Sequence, residues 1–243
     1  MSAVAAGTPE TMICAIARLL RDGERVFHGV ASVIPMLAVN LARRVHAPRL
    51  TYINIAGGID PAPRYLPESS TDPELARGSA SIFNNEDFYD LCARGGIDVA
   101  FLGATQMDAL GRTNNSVIGP YDRPKVRLPG GGGAAVVLPT ARRVIVWRTV
   151  HTPKVFVERL DFVTGVGNLD RVVTPLCVFQ RRDGRLAVES IHPGHTREEV
   201  AARTGFALEI PPDVPTTPPP TEAELAAIEA IDPRGVRRIE FGS

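Results

Sequence analysis

Apolar residues follow a helical period at the start of the chain and form unbroken runs further on. The spacing of Met12, Ile13 and Ile16 predicts a helix that Thr8 caps and Gly23 ends. Further helices are predicted over residues 35–45 and after Asn84 or Asn85. Between the helices, apolar runs predict strands at residues 25–30, 50–55 and 97–102. Continuous apolar strands that alternate with helices are typical of sheets covered on both faces, which favours an open, mostly parallel α/β sheet.

The second half of the chain is richer in strand patterns. We predict strands at residues 143–147, 155–163, 172–180 and 186–191, with a hairpin turn at Asp183 and Gly184. Helices follow at residues 197–204 and 221–231, and Thr221 with Glu224 forms a capping-box pattern for the second. Six prolines in residues 211–220 exclude helix there. We therefore predict one domain over residues 1–210, and a Pro-rich arm with a C-terminal helix over residues 211–243 that packs on the body or on a partner.

Composition narrows the classes of partner. Lys plus Arg number 27, as do Asp plus Glu, so no long-range field favours nucleic acid, and we expect none as a partner. We also expect no membrane association, because no apolar run has the length of a membrane span and the N-terminus lacks a signal pattern. Cys14, Cys92 and Cys177 lack the spacing of metal ligands, which predicts reduced, buried thiols in a cytoplasmic protein without a metal site.

Four consecutive glycines, residues 130–133, are the strongest local signal. Glycine loses much conformational entropy on folding and buries no side chain, but it leaves its backbone N–H groups uncovered. Next to the apolar start of a helix or strand at residues 135–138, such amides suit an anion or a developing oxyanion. A flexible surface loop is the alternative. The loops at residues 29–32, 56–63 and 103–115 each follow an apolar strand, so we expect them to meet at one rim beside the glycines.

Several segments, taken in order, carry a resemblance to a known family. They are VASVIPMLAVNLARRVHAP, INIAGGIDPAP, VAFLGATQMDALGRTNNSVIG, RPKVRLPGGGGA, VFVERLDFVTGVG and ESIHPGHTREEVAARTGF. Together they resemble the beta subunit of family I CoA transferases, of the glutaconate CoA-transferase type. The likeness extends over residues 26–206, and PPPTEAEL in the tail matches as well.

The resemblance implies a fold, a partner and a substrate. The fold is an open, mostly parallel α/β sheet flanked by helices with a strand-rich C-terminal half, shared with sugar-phosphate isomerases. A homologous alpha subunit completes the active site in a heterodimer or heterotetramer. The substrate is an acyl-CoA thioester, with no other cofactor bound. The implied substrate and CoA contacts are Gly57, Gly58, Gly103, Ala104, Gln106, Asn114, Gly132, Gly133 and Ala134.

One departure from the family pattern concerns the catalytic group itself. In the family, a glutamate of a Glu-x-Gly turn attacks the acyl-CoA carbonyl and then carries CoA as a glutamyl thioester. The corresponding residues here are Ile55, Ala56 and Gly57, and an isoleucine side chain forms no such bond. Asp60 and Glu68 are the nearest carboxylates in sequence, and neither is placed by sequence in near-attack geometry. The catalytic residue therefore stays unassigned.

Three hypotheses follow for the function. The first is a hydrolytic or ring-opening enzyme on an oxo-acyl-CoA, with its carboxylate supplied by the alpha subunit; actinobacterial steroid-ring hydrolases resemble this family and lack the transferase mechanism. The second is a true CoA transferase in which another carboxylate substitutes for the glutamate. The third is a non-catalytic binding subunit.

Other polar residues receive mostly structural interpretations. His151 is interpreted as a structural histidine between strands, with general-base chemistry as the alternative. His192 and His195 flank a Pro-Gly turn, and Asp161 is expected to accept hydrogen bonds from loop amides. Arg64 and Arg127 suit phosphates or carboxylates, but the sequence does not distinguish them from solvated arginines.

Overall fold

The computed structural model describes residues 7–241. The helices are α1 (Thr8–Ala17), α2 (Val33–Val45), α3 (Asn85–Ala93), α4 (Ala134–Thr140), α5 (Arg197–Ala202) and α6 (Glu222–Ile231). The strands are β1 (Arg25–His28), β2 (Thr51–Asn54), β3 (Gly58–Ile59), β4 (Ser81–Ile82), β5 (Val99–Gly103), β6 (Gln106–Met107), β7 (Thr113–Asn114), β8 (Val117–Ile118), β9 (Val126–Arg127), β10 (Arg143–Trp147), β11 (Leu169–Val173), β12 (Cys177–Arg182) and β13 (Arg185–Ile191). Short 3₁₀ helices lie at Pro73–Ala76 and Val236–Phe241.

The chain divides into two compact units. The first comprises Met1–Phe101 and Pro218–Ser243, and the second comprises Leu102–Thr217. In the first unit β1 pairs in parallel with β2 and with β5, so that His28 lies opposite both Asn54 and Phe101. β3 then runs antiparallel to β2, and β4 antiparallel to β3. The carboxyl ends of β1 and β2 therefore lie side by side.

Helices α1, α2 and α6 pack on one another within the first unit. Their buried side chains include Met12, Ile16, Met36, Leu37 and Ile228. The predicted capping box of α6 is confirmed: Thr221 Oγ1 accepts from the Glu224 N–H, and the Glu224 carboxylate accepts from the Thr221 N–H. Glu224 also accepts two hydrogen bonds from Arg18 just after α1, at 2.8 and 2.6 Å. These bonds fix α6 beside α1. The predicted boundary at residue 210, between one domain and a C-terminal arm, stays a prediction.

The second unit combines a sheet with two small hairpins. β10 and β11 are parallel, and β11, β12 and β13 form an antiparallel meander. The turn at Asp183 (φ 48°) and Gly184 (φ 77°) joins β12 to β13, as predicted. The hairpins are β6–β7 and β8–β9. The predicted α/β class, with a strand-rich C-terminal half, is confirmed. In the described part of the chain, no helix has the length and apolarity needed to cross a membrane.

Two predicted strands are wrong in extent. Residues 155–163 do not form a strand, because Thr152 O accepts the N–H groups of both Val155 and Phe156 in a turn, leaving one isolated bridge between Phe156 and Met107. Residues 172–180 are split between β11 and β12. There Thr174 Oγ1 accepts the N–H groups of the second and third residues after it, which reverses the chain next to a proline.

The first helix also differs from its prediction. Its N-cap is Gly7 rather than Thr8, and its last helical residue is Ala17. The chain continues in turns to Gly23, which adopts a φ of 82°. The apolar spacing continues past Ala17 because Leu20 is buried without being helical.

Candidate active site

Ile55, the position at which the resemblance predicts the family's glutamate, lies at the carboxyl end of β2. Ile55 directly follows this strand, is half-buried, and donates its N–H to His28 O at 3.2 Å. The two glycines after it are both buried. A Cβ at Gly57 would lie 2.9 Å from Phe83 O, and one at Gly58 would lie 2.6 Å from Leu75 O. Packing within the first unit therefore already requires glycine at both positions. Direct contact of Gly57 or Gly58 with CoA stays a prediction.

Asp60, the nearer candidate carboxylate, is held at the other end of the strand. Its Oδ1 accepts from the Tyr52 N–H at 2.9 Å and lies 3.4 Å from Arg43 Nη2. Tyr52 precedes Ile55 by three residues, which in a strand corresponds to about 10 Å. The hydrogen bond and the ion pair hold the Asp60 carboxylate away from Ile55, the predicted nucleophile position.

A buried polar network supports the turn at residues 29–32. His28 Nδ1 lies 2.7 Å from Ser32 Oγ, and His28 Nε2 lies 2.5 Å from the Tyr52 hydroxyl. Burial lowers the pKa of His28 to about 4, so the ring is neutral at pH 7. Since Ser32 donates its own proton to Gly29 O, the arrangement fits a His28 that donates from Nδ1 and accepts the Tyr52 proton at Nε2. The sequence predicted the loop at residues 29–32 as part of the site, but it did not predict the hydrogen bonds of His28 that support this loop.

In the second unit the β6–β7 hairpin places Gln106 opposite Asn114. Asn114 is fully buried, and its amide nitrogen donates to Gln106 Oε1 and to Val117 O, both at 2.7 Å. Its side-chain oxygen accepts from the Ser116 N–H at 2.9 Å. Gln106 Nε2 in turn donates to the exposed Asp161 carboxylate at 3.2 Å. Asn114 thus orients the Gln106 amide, while direct binding of substrate by either residue stays a prediction.

Asn115, which sequence reasoning did not select, joins the Gly103 loop to the glycine run. Its side-chain nitrogen donates to Gly103 O at 2.9 Å, and its side-chain oxygen accepts from the Thr105 N–H at 2.7 Å. Its backbone O accepts from the Gly130 N–H at 2.8 Å, and its N–H donates to Thr164 Oγ1 at 2.9 Å. The sequence signal that could have identified Asn115 is the Asn-Asn pair, since short amide side chains readily form hydrogen bonds with nearby backbone groups.

The glycine run leads directly into α4. Gly133 is the N-cap, and the N–H of the buried Ala134 donates to Gly131 O at 2.8 Å. A Cβ at Gly131 would lie 2.6 Å from Thr164 Cγ2, whereas one at Gly132 (φ 49°) would meet nothing within 4 Å. No backbone carbonyl of the described chain accepts from the amides of residues 131–133. These amides are therefore free for an anionic or developing oxyanionic group.

Nothing in the described part of the chain requires a glycine at residue 103. It is exposed at the end of β5, its φ lies outside the left-handed region, and a Cβ there would meet nothing within 4 Å. Ala104, the next residue, is buried. Glycine in such a place is explained when a molecule outside the chain comes close to the backbone. Gly103 is therefore the candidate position in the second unit at which a bound molecule comes closest to the backbone.

The buried histidines of the second unit are structural. His151 Nδ1 lies 2.9 Å from Thr174 Oγ1 and its Nε2 lies 3.1 Å from Thr204 Oγ1, and burial lowers its pKa to about 4. The structural interpretation of His151 is confirmed. His192 is similarly buried, with Nε2 at 2.9 Å from Thr174 O, and burial lowers its pKa to about 4. Both rings use both nitrogens in hydrogen bonds and are neutral at pH 7.

Comparison with known proteins identifies the family. A family model described as coenzyme A transferase matches residues 9–203. The chain therefore belongs to the coenzyme A transferase family, as its sequence motifs predicted.

Three relatives show the range of reactions among similar proteins. A subunit of the 3-oxoadipate CoA-transferase of Pseudomonas knackmussii is 37% identical, over 93% of this chain and 94% of the relative. The cholesterol ring-cleaving hydrolase IpdB subunit of Rhodococcus jostii is 34% identical, over 61% of this chain and 65% of the relative. The crystal structure of the decarboxylase AibA/AibB matches with a TM-score of 0.92 and 32% identity, over 98% of this chain and 99% of the matched chain.

Proposed function

We propose that this chain is the beta subunit of a two-subunit enzyme that acts on an acyl-CoA thioester through hydrolysis or ring opening of an oxo-acyl-CoA. The chain needs a homologous alpha subunit for activity, in a heterodimer or heterotetramer. CoA enters as part of the substrate, and no further cofactor takes part. All three cysteines are buried and none is disulfide-bonded within the described residues, which supports a cytoplasmic location.

The observation that carries the proposal is the combination of a lost nucleophile with free backbone amides. The resemblance places Ile55 where the family's glutamate would attack, and Asp60 is bound to Tyr52 and Arg43 instead. Among the described residues, no backbone carbonyl accepts from the amides of residues 131–133. A chain that lacks the family's nucleophile in its first unit but offers oxyanion donors in its second suits reactions in which negative charge develops on the thioester oxygen.

Ring opening is such a reaction. Water adds to a ring ketone placed beta to the thioester, and the bond between that carbon and the alpha carbon breaks. The electron pair delocalises onto the thioester oxygen as an enolate, and a proton then returns to the alpha carbon. The acid–base carboxylate comes from the alpha subunit, and the thioester itself stays intact. Decarboxylation of a suitable acyl-CoA passes through the same kind of enolate, with CO₂ as the leaving fragment.

The similarity to relatives named as a ring-cleaving hydrolase and as a decarboxylase supports this class of chemistry. The similarity to a subunit of a 3-oxoadipate CoA-transferase supports the second candidate, transfer of CoA between carboxylic acids. Transfer requires a carboxylate on one of the two subunits to carry CoA covalently. A non-catalytic binding subunit is the third candidate, and it predicts no turnover of any acyl-CoA.

The test is to co-purify this chain with the product of its neighbouring alpha-subunit gene and to supply a panel of oxo-acyl-CoA substrates. Mass spectrometry separates the outcomes: addition of water with CoA retained indicates ring opening, and release of free CoA indicates thioester hydrolysis. Loss of CO₂ indicates decarboxylation. Turnover that depends on an added carboxylic acid acceptor, with CoA moved to it, would overturn the proposal in favour of transfer. Absence of turnover on the whole panel would favour the binding subunit.

A further inference from the structure

A groove of about 490 Å³ lies in the first unit, away from the carboxyl ends of its parallel strands. It is bounded by the last turn of α2, by the segment that follows β3, and by the end of α6. Since α2 runs back from the end of β1, its last turn lies near the start of β2. The groove is therefore distinct from the end of β2 that carries Ile55, and only the binding of CoA at the groove would rest on the proposed function.

Guanidinium groups concentrate positive charge at this groove. Arg43, Arg44 and Arg64 all line it. Arg43 is paired with Asp60 at 3.4 Å, and Arg64 shares Glu74 with Arg77, so that the hydrogen bonds from these arginines hold the pKa of Glu74 down at about 2.

Two guanidinium groups, that of Arg44 in the lining and that of Arg234 beside it over Tyr65, carry the surplus of positive charge. Arg44 and Arg234 are exposed, and neither makes an ion pair within residues 7–241. The groove thus holds a positive surplus in a chain with equal numbers of basic and acidic residues.

One of these arginines is already held in place by an aromatic ring. Arg234 Cζ lies 4.7 Å from the centroid of the Tyr65 ring, and Tyr65 lines the groove with about 38% of its surface exposed. A guanidinium stacked on an aromatic face keeps its N–H edge available for hydrogen bonds. The stacking reduces the entropy that Arg234 would lose on binding a ligand. Arg234 is thus pre-oriented for a planar or tetrahedral anion.

We propose that this groove binds a nucleoside polyphosphate. Guanidinium groups match phosphate oxygens, and the part of the Tyr65 ring that Arg234 leaves exposed offers a surface for a base. A compact concavity favours a small ligand with several charges over an acidic peptide, which would need an extended track of basic residues. The phosphate group is the recognised chemistry, and its source is either a free nucleotide or the phosphate groups of CoA.

The test is calorimetric titration of the two-subunit complex with ADP, pyrophosphate and CoA, with poly-glutamate as the peptide probe. The test variant is Arg44→Gln combined with Arg234→Gln, since both residues are exposed and unpaired. The control is Arg182→Gln combined with Arg185→Gln, which removes the same charge from the exposed β12–β13 turn. We expect ADP to bind saturably, more weakly as salt rises, and at least tenfold more weakly in the test variant alone.

The outcomes are separable from the proposed reaction. Reduced ADP binding with an unchanged KM for acyl-CoA indicates a free nucleotide as the ligand, and a KM raised by the same factor indicates the phosphate groups of CoA; both support the groove. The inference is overturned if no phosphate compound binds at millimolar concentration. Equal weakening by the test and control variants, or binding of poly-glutamate without ADP or pyrophosphate, also overturns it. Loss of turnover with ADP binding intact would bear on the proposed function alone.

Discussion

Replacement of Gly103 by alanine separates a functional from a structural role for this glycine. Its φ is ordinary, and the added methyl group would meet no atom of residues 7–241 within 4 Å. Alanine therefore introduces neither strain nor overlap, and it lowers the entropy of the unfolded chain. Such a Gly→Ala change raises the free energy of unfolding by about 0.4–1 kcal/mol. For a chain of 243 residues this corresponds to a rise in Tm of roughly 1–4 °C.

The same methyl group should impair catalysis. If a thioester lies against the backbone at Gly103, the methyl group displaces it by about 1 Å from its bound position, and a displacement of that size costs on the order of 100-fold in rate. We therefore expect Gly103→Ala to keep or gain thermal stability and to lose most of its kcat/KM on an acyl-CoA.

The assay combines differential scanning calorimetry with steady-state kinetics on the two-subunit complex. Gly184→Ala is the matched control: Gly184 adopts a φ of 77° at the β12–β13 turn, so alanine there should cost about 1 kcal/mol of stability and leave kcat/KM unchanged. Full activity in Gly103→Ala would refute the reasoning, because the open space beside this residue would then have no ligand to explain it.

Three further predictions test other parts of the account. Asn115→Ala removes two hydrogen bonds to the Gly103 loop and should lower the free energy of unfolding by about 1–3 kcal/mol in urea while raising the KM for acyl-CoA; an unchanged urea midpoint would contradict it. Gly58→Ala places a Cβ 2.6 Å from a carbonyl oxygen and should lower Tm by an amount equivalent to about 1–3 kcal/mol, so a wild-type Tm would argue against the packing described. His28, His151 and His192 have folded-state pKa values of about 4, below the 6.5 of the unfolded chain, so the unfolded state binds more protons between these values. The free energy of unfolding therefore has its full value above pH 6.5 and falls as the pH is lowered toward 4, by roughly 3 kcal/mol per histidine at most. A calorimetric Tm that stays level from pH 7.5 to pH 5 would exclude this effect.

The sequence predicted those parts of the fold that local chemistry determines. Apolar runs located β1, β2 and β5, and Thr221 with Glu224 located the start of α6. The two strand predictions that were wrong have causes in tertiary burial and in a local turn. The apolar pattern of residues 155–163 reflects burial of Val155, Phe156 and Leu160 rather than strand pairing. In residues 172–180 a single threonine hydroxyl, next to a proline, reverses the chain inside a mostly apolar run.

The candidate site was predicted less completely than the fold. Glycine pattern and family resemblance selected Gly57, Gly58, Gly103 and Gly132 alike, whereas only the spatial surroundings separate them. A Cβ at Gly57 or Gly58 would overlap backbone of the same unit, while one at Gly103 or Gly132 would meet open space. Asn115 was missed because its role depends on contacts with residues 10 and 12 positions away, which no local pattern reveals.

The central claim is that this chain acts on an acyl-CoA without carrying CoA covalently. The most direct measurement is the intact mass of this chain after the two-subunit complex has been treated with borohydride during turnover of an acyl-CoA. The account predicts full product formation and an unmodified mass, with no loss of activity. Inactivation together with a reduced carboxylate, or CoA found attached to a carboxylate of this chain, would contradict it.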